Sequence, residues 1–95
     1  MLDHDTDIDE ATMPAQRAGV TLERVGADAI LLDQSAQKAH VVNGSAARLW
    51  ELLGASRDRE SLIAAFAATY ALPAGAVRPD VERTLDRFDT LGLLA

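Results

Sequence analysis

Few side chains in this sequence have the type and spacing that catalysis or metal binding requires. The two histidines, His4 and His40, are far apart, and neither has other ligand types at metal-site spacing. There is no cysteine, which excludes thiol catalysis, thiolate metal sites and disulfides. No serine lies in a nucleophile-elbow context, and no glycine-rich phosphate loop is present. We therefore expect no catalytic residue, no metal and no cofactor: the protein is not expected to be an enzyme.

Acidic and basic residues alternate between positions 78 and 89, where a third helix is expected. Asp86 and Asp89 are one helical turn apart, but Arg83 and Arg87 are interspersed with them, which is typical of an ion-paired solvent face. The segment therefore lacks the net positive field that contacts with DNA phosphates require. A winged-helix DNA-binding regulator is compatible with the order of elements and remains the alternative function.

The acidity of the chain is concentrated at its start. The formal net charge is −6, and five of the 15 acidic residues lie in the first ten positions, which contain no Lys or Arg. Such a run cannot offset the entropy of ordering. We predict a disordered acidic tail over residues 1–16, either a solubilising leader or a pseudo-ligand for the folded domain, which spans 17–95. No apolar run has the length of a signal sequence or membrane span, so a cytoplasmic location is expected.

Residues 19–43 have the composition of short strands. Positions 20–23 alternate apolar and polar residues, 29–32 form an apolar run too short for a helix, and Lys38–Val42 follows a polar turn. Because the connections are short, we expect the three strands to form an antiparallel meander.

From residue 45 onward the apolar residues recur with helical spacing. Ser45 is expected to cap a first helix that ends at Gly54, and Asp58 to cap a second. The third helix is expected to begin near Pro79, which suits a first-turn position. Since a three-stranded sheet with one apolar face needs helices to cover it, we predict an α+β fold: a three-stranded antiparallel sheet followed by three helices, winged-helix-like. Trp50 is expected in its core.

A series of short motifs runs through residues 19–95. They are Ala29-Ile30-Leu31-Leu32-Asp33, Val42-Asn43, Ala46-Ala47-Arg48-Leu49-Trp50-Glu51-Leu52-Leu53, Tyr70, Asp80-Val81 and Leu91-Gly92-Leu93-Leu94. In this order they resemble the PqqD-like family, the RiPP recognition elements that bind leader peptides of ribosomally made, post-translationally modified peptides. The sequence departs from the family pattern at three places. Gly54-Ala55 replaces Asp-Gly, Gln37 replaces a turn glycine, and Ala39 and His40 stand where an aromatic residue is frequent.

The resemblance implies that the protein binds the leader segment of a ribosomally synthesised precursor peptide and presents it to a separate modifying enzyme. In this family the leader adds an antiparallel strand to strand three, in a groove walled by the third helix. The expected peptide-binding residues are Lys38, Ala39, His40, Val41, Val42, Val81, Arg83, Thr84, Leu85, Arg87 and Phe88. Of these, Val81, Leu85 and Phe88 are equally compatible with plain core positions.

The resemblance also suggests the partners of such a peptide chaperone in natural product biosynthesis. They are a precursor (leader) peptide and a maturation enzyme such as a radical-SAM enzyme, a leader protease or a cyclase. Neither nucleic acid nor a membrane is expected as a partner. The alternative to leader binding is the DNA-binding regulator or another protein-interaction module of the same shape.

Overall fold

The computed structural model of the protein describes residues 14–56 and 58–95. Its elements are β1 (Val20–Val25), β2 (Asp28–Asp33), β3 (Lys38–Val42), α1 (Gly44–Ala55), α2 (Arg59–Thr69) and α3 (Ala74–Thr90). The strands form one antiparallel sheet in the order β1-β2-β3. The predicted fold, three antiparallel strands followed by three helices, is confirmed.

The described ranges contain three helices. No single one of them is long and apolar enough to cross a membrane, and only α2 and α3, bent by 113° at their break, reach the required length and composition as a pair.

The hydrogen bonding of the β1–β2 hairpin shows which residues of β2 direct their backbone N–H and C=O groups toward β1 and which toward β3. Gly26, with φ +63°, opens a two-residue turn between the paired residues Val25 and Asp28. At the other end of the hairpin, the Gln34 N–H donates to the Gly19 carbonyl at 3.0 Å. Gly19 and Gln34 are therefore a hydrogen-bonded pair of the same ladder as Val25 and Asp28. Because bonded and non-bonded pairs alternate in an antiparallel ladder, the odd-numbered residues of β2 direct their backbone groups toward β3.

One face of the sheet and one face of each helix form the core. In β2 the odd-numbered side chains, Ala29, Leu31 and Asp33, are buried, as the period of two requires. The indole of Trp50 on α1 packs edge-on against the ring of Phe88 on α3, with centroids 5.3 Å apart. The expected burial of Trp50 is therefore confirmed.

The start of α1 differs from the prediction. Asn43, not Ser45, is the N-cap: its side-chain oxygen accepts from the Ala46 N–H at 2.9 Å, and Ser45 donates its hydroxyl to the same oxygen at 3.0 Å. The helix also continues through Gly54 to Ala55. Both side chains can cap, but β3 ends at Val42, so the chain enters the helix at the next residue, Asn43.

Asp58 caps α2 as predicted, accepting from the Ser61 N–H at 2.7 Å. The start of α3 was predicted wrongly: it begins at Ala74, and Pro79 lies inside it. The physical reason is Val77, which is 2% exposed and lies one turn before the buried Val81. Burial of this apolar residue outweighs the lost proline hydrogen bond at Pro79.

The two ends of the described chain meet. Residues 15–17 pair with residues 93–95 through backbone hydrogen bonds of 2.8 and 3.0 Å, and Gln16 forms a bridge with Leu94. The Gln16 side-chain amide also donates to the Trp50 carbonyl at 2.7 Å. Most of the predicted acidic tail, residues 1–13, lies outside the described residues, so the prediction for that segment stays untested.

Asp33 is the buried charged residue of the described core. Its carboxylate pairs with Arg17 and accepts from the Ser35 hydroxyl at 3.1 Å and the Ala36 N–H at 3.2 Å. Burial by itself would raise the pKa of Asp33. The hydrogen bonds from Ala36 and Ser35 and the charge of Arg17 outweigh it, so the pKa of this carboxyl is lowered.

This lowered pKa predicts an acid-dependent loss of stability. The ionised Asp33 stabilises the folded state at pH values above its unfolded pKa of about 3.9, and the contribution is lost as the pH falls through the folded-state pKa. Urea unfolding between pH 3 and 7 should show wild type more stable than Asp33→Asn at neutral pH, with the gap narrowing in acid. The matched variant Asp86→Asn changes an exposed aspartate of α3 and should leave the pH profile unchanged. A pH-independent gap for Asp33→Asn would contradict this account.

Candidate functional site

β3 is an edge strand whose outer side is open. It pairs with β2 on one side, and no other described segment pairs with it on the other. Since Lys38, His40 and Val42 are register partners of the odd-numbered β2 residues, their backbone groups face β2. The N–H and C=O groups of Ala39 and Val41 consequently point to the open edge. Such unpaired groups are a ready template for another strand.

A groove of about 550 Å³ lies at the C-terminal end of β3, between the start of α1, the end of α2 and one face of α3. Its apolar lining comes from the break between α2 and α3, which contains Leu72, and from the turns on either side of it, which contain Phe66, Tyr70 and Val77. Its polar lining comes from the cap of α1 and from α3. The lining residues are Asn43, Ser45, Phe66, Tyr70, Leu72, Val77, Asp80, Arg83, Thr84 and Arg87.

The apolar wall of the groove is built by the way α2 ends. Ala71 adopts φ +55°, and the Leu72 N–H bonds back to the Ala67 carbonyl at 3.0 Å, which closes a Schellman-type turn. The rings of Phe66 and Tyr70 pack at 5.0 Å beside this turn. Tyr70 is left 41% exposed and Leu72 51%, so both offer apolar surface to a ligand.

The basic residues of α3 differ in whether they are already paired. Arg78 donates to both carboxylate oxygens of Glu60 at 2.8 and 2.9 Å, and this hydrogen bonding lowers the pKa of Glu60. Arg83 pairs with Asp80 on the same helix. Within the described ranges Arg87 has no ion pair, so it is the unpaired cation of the groove lining. One such cation is a poor basis for DNA binding, which depends on many phosphate contacts.

The predicted peptide-binding residues occupy three kinds of position. Arg83, Thr84 and Arg87 line the groove, and Lys38, Ala39 and Val41 are exposed on the open strand, with His40 half-buried beside them. The remaining four are core residues that shape the sheet and helix beneath the groove: Val42, Val81, Leu85 and Phe88. Whether any of the eleven contacts a peptide stays a prediction.

Most of the groove lining was not predicted from the sequence. The lining residues that are absent from the predicted site are Asn43, Ser45, Phe66, Tyr70, Leu72, Val77 and Asp80. A usable signal was present in Tyr70 and Leu72, two large apolar residues at a helix end just before Pro73. The others depend on how α2 and α3 cross, which no local pattern encodes.

Fold and site together define a small α+β domain with an open strand edge next to a groove that has one apolar wall and one polar wall. Residues 28–94 match the model of the family described as coenzyme PQQ synthesis protein D (PqqD), and the chain belongs to that family. The family membership that the sequence motifs predicted is thereby confirmed.

Two further comparisons bear on the fold. No curated protein matches the sequence. Among solved structures, the chain is similar to "TbiB1 in Complex with the TbiA(beta) Leader Peptide", with a TM-score of 0.71 and 20% sequence identity. The alignment covers 84% of this chain and 93% of that chain. At this level of identity the likeness shows a shared fold.

Proposed function

We propose that this protein binds the leader segment of a ribosomally synthesised precursor peptide and presents it to a separate maturation enzyme, without chemistry of its own. The observation that carries the proposal is the open edge of β3 beside a groove with an apolar wall. Membership of the PqqD family supports it, as does the similar fold of TbiB1, whose structure holds a leader peptide. A cytoplasmic location, where ribosomal products first appear, belongs to the same proposal.

The binding mode we propose is strand addition to β3. A peptide lying antiparallel to β3 exchanges hydrogen bonds with the backbone groups of Ala39 and Val41. About four such bonds at roughly 0.5–1.5 kcal/mol net give about 2–6 kcal/mol, whereas micromolar affinity requires about 8 kcal/mol. The backbone bonds therefore need help from side chains.

The groove can supply that help. Alternate side chains of an added strand point to the same side as the core face of the sheet, where Tyr70 and Leu72 expose apolar surface. Burying one apolar side chain completely contributes about 1.5–3 kcal/mol. One or two such anchors, together with the backbone bonds, bring the affinity into the micromolar range. The leader we expect is therefore an extended segment with apolar anchors.

Val41→Pro tests the proposed edge. Proline removes the N–H that points to the added strand, and its ring stands in the strand's way, while no hydrogen bond to β2 is lost. We expect the dissociation constant to rise at least about tenfold. The probe is the fluorescein-labelled synthetic leader of the precursor peptide encoded nearest to this protein, titrated by fluorescence polarisation.

Val41→Thr is the matched control, because it keeps the N–H and a β-branched side chain and should bind within about twofold of wild type. Circular dichroism must show that both variants remain folded. Equal binding by the proline variant would remove β3 as the site. If the folded wild-type protein does not bind the leader at about 100 μM but binds duplex DNA with an affinity that falls steeply with salt, the DNA-binding regulator replaces the proposal.

A further inference from the structure

His40 carries a buried polar atom that the folded domain leaves without a partner. The residue is half-buried on β3, but its Nε2 is fully buried and has no hydrogen-bond partner among the described residues. The other such atom, Arg17 Nε, belongs to a guanidinium that is already paired with Asp33. A buried nitrogen without a hydrogen bond destabilises the folded state, and a ligand that supplies the missing partner recovers that cost.

The position of His40 on β3 brings its side chain next to the proposed peptide. Its backbone groups face β2, so toward an added antiparallel strand it occupies a non-hydrogen-bonded position. Opposing Cα atoms at such positions are only about 4.5 Å apart, and their side chains lie on the same face. For His40 this is the core face that it shares with Leu31 and Val42, the face that the helices cover.

Two connections indicate how α3 lies relative to β3. The groove joins Thr84 to Asn43 just after β3, and the hydrogen bond from Arg17 holds Leu93 near Asp33, the register partner of Lys38 at the start of β3. Arg87 lies between Thr84 and Leu93 in the chain, as His40 lies between Asn43 and Lys38. This order indicates that α3 runs antiparallel to β3, with Arg87 on the side of His40. We infer that a side chain opposite His40 can reach both groups: the imidazole, whose Nε2 has no partner among the described residues, and the Arg87 guanidinium, which has no ion pair among them.

We propose that the leader residue opposite His40 is acidic, an aspartate or glutamate. Its carboxylate accepts a hydrogen bond from His40 Nε2–H after a rotation of the half-exposed ring, and it pairs with Arg87. An anion satisfies both groups, whereas a hydroxyl or an apolar side chain leaves the cation unpaired. This inference rests on the proposed function, and it assigns His40 and Arg87 as specificity-determining residues of the strand-addition site.

The test begins with the bound leader. In the complex of the full chain with the synthetic leader, a Hα–Hα NOE to His40 identifies the opposing peptide residue. Leaders with Asp, Asn or Leu at that residue are then titrated by fluorescence polarisation against wild type, His40→Leu and Arg87→Gln. We expect wild type to bind the Asp peptide at least fivefold more tightly than the Asn or Leu peptide. Each variant should reduce this ratio to below about twofold.

Arg48→Gln is the matched control for Arg87→Gln, since it removes a charge from α1 outside the groove lining and should keep the fivefold ratio. His40→Gln retains a side-chain donor and should keep part of the preference. If the leader binds but Asp, Asn and Leu peptides bind equally, or the ratio survives in both variants, this inference is wrong while leader binding stands. If folded wild type binds none of the three, leader binding itself is wrong and the inference fails with it.

Discussion

Trp50→Ala is expected to lower the free energy of unfolding by about 3–5 kcal/mol. The indole is 3% exposed and contacts the Phe88 ring edge-on, so truncation leaves a cavity between α1 and α3 that rigid neighbours fill only in part. Typical domains have about 5–15 kcal/mol in total, so the variant is expected to be close to its folding limit. Urea unfolding followed by far-UV circular dichroism measures the loss, because the variant lacks the chain's one tryptophan and its fluorescence.

Trp50→Phe provides the comparison for this prediction. It retains an aromatic ring against Phe88 and removes less volume, so its cost should be clearly smaller than that of alanine. A loss below about 1 kcal/mol for the alanine variant would mean that the α1–α3 contact is not a principal part of the core.

Gly44→Ala is the second large expected effect, a destabilisation of about 1–3 kcal/mol. In a helix alanine is normally the better residue by about 1 kcal/mol. Here a Cβ on Gly44 would lie 2.7 Å from the backbone carbonyl oxygen of Ala27, in the β1–β2 turn. Backbone atoms of a tight turn cannot move aside cheaply, so the close approach of α1 to the hairpin reverses the usual sign. Thermal or urea unfolding measures the difference.

Gly75→Ala is the matched substitution, since Gly75 is in the first turn of α3 and a Cβ there meets nothing within 4 Å. We expect it to be neutral or stabilising by up to about 1 kcal/mol. If the two alanine variants are equally stable, the packing of α1 against the hairpin turn is looser than the distance indicates.

The elements of this fold could be predicted because their signals are local. Alternation in β1 and the capping carboxylate of Asp58 depend on residues a few positions apart. The errors have non-local causes. Pro79 predicts a helix start because the burial of Val77 against the core is not visible in the local sequence. Ser45 and Asn43 are both suitable N-caps, and which of them caps α1 depends on where β3 ends.

The candidate site could be predicted only in outline. An open edge at β3 follows from a meander of three strands, and Arg83, Thr84 and Arg87 follow from the face of α3. Tyr70 and Leu72 hint at the apolar wall, but its shape could not be foreseen, because it depends on an αL residue at Ala71 that carries a side chain, where glycine is the usual choice. The orphan nitrogen of His40 is likewise a property of packing, with no trace in residue order.

The pairing of residues 15–17 with residues 93–95 has a kinetic consequence. These hydrogen bonds join the two ends of the described chain, so closing the loop between them costs more entropy than any local contact, and they are expected to form late in folding. Contacts absent from the transition state leave the folding rate unchanged and slow unfolding. The pairing should thus slow unfolding and lengthen the lifetime of the native domain, including β3 and the groove beside it.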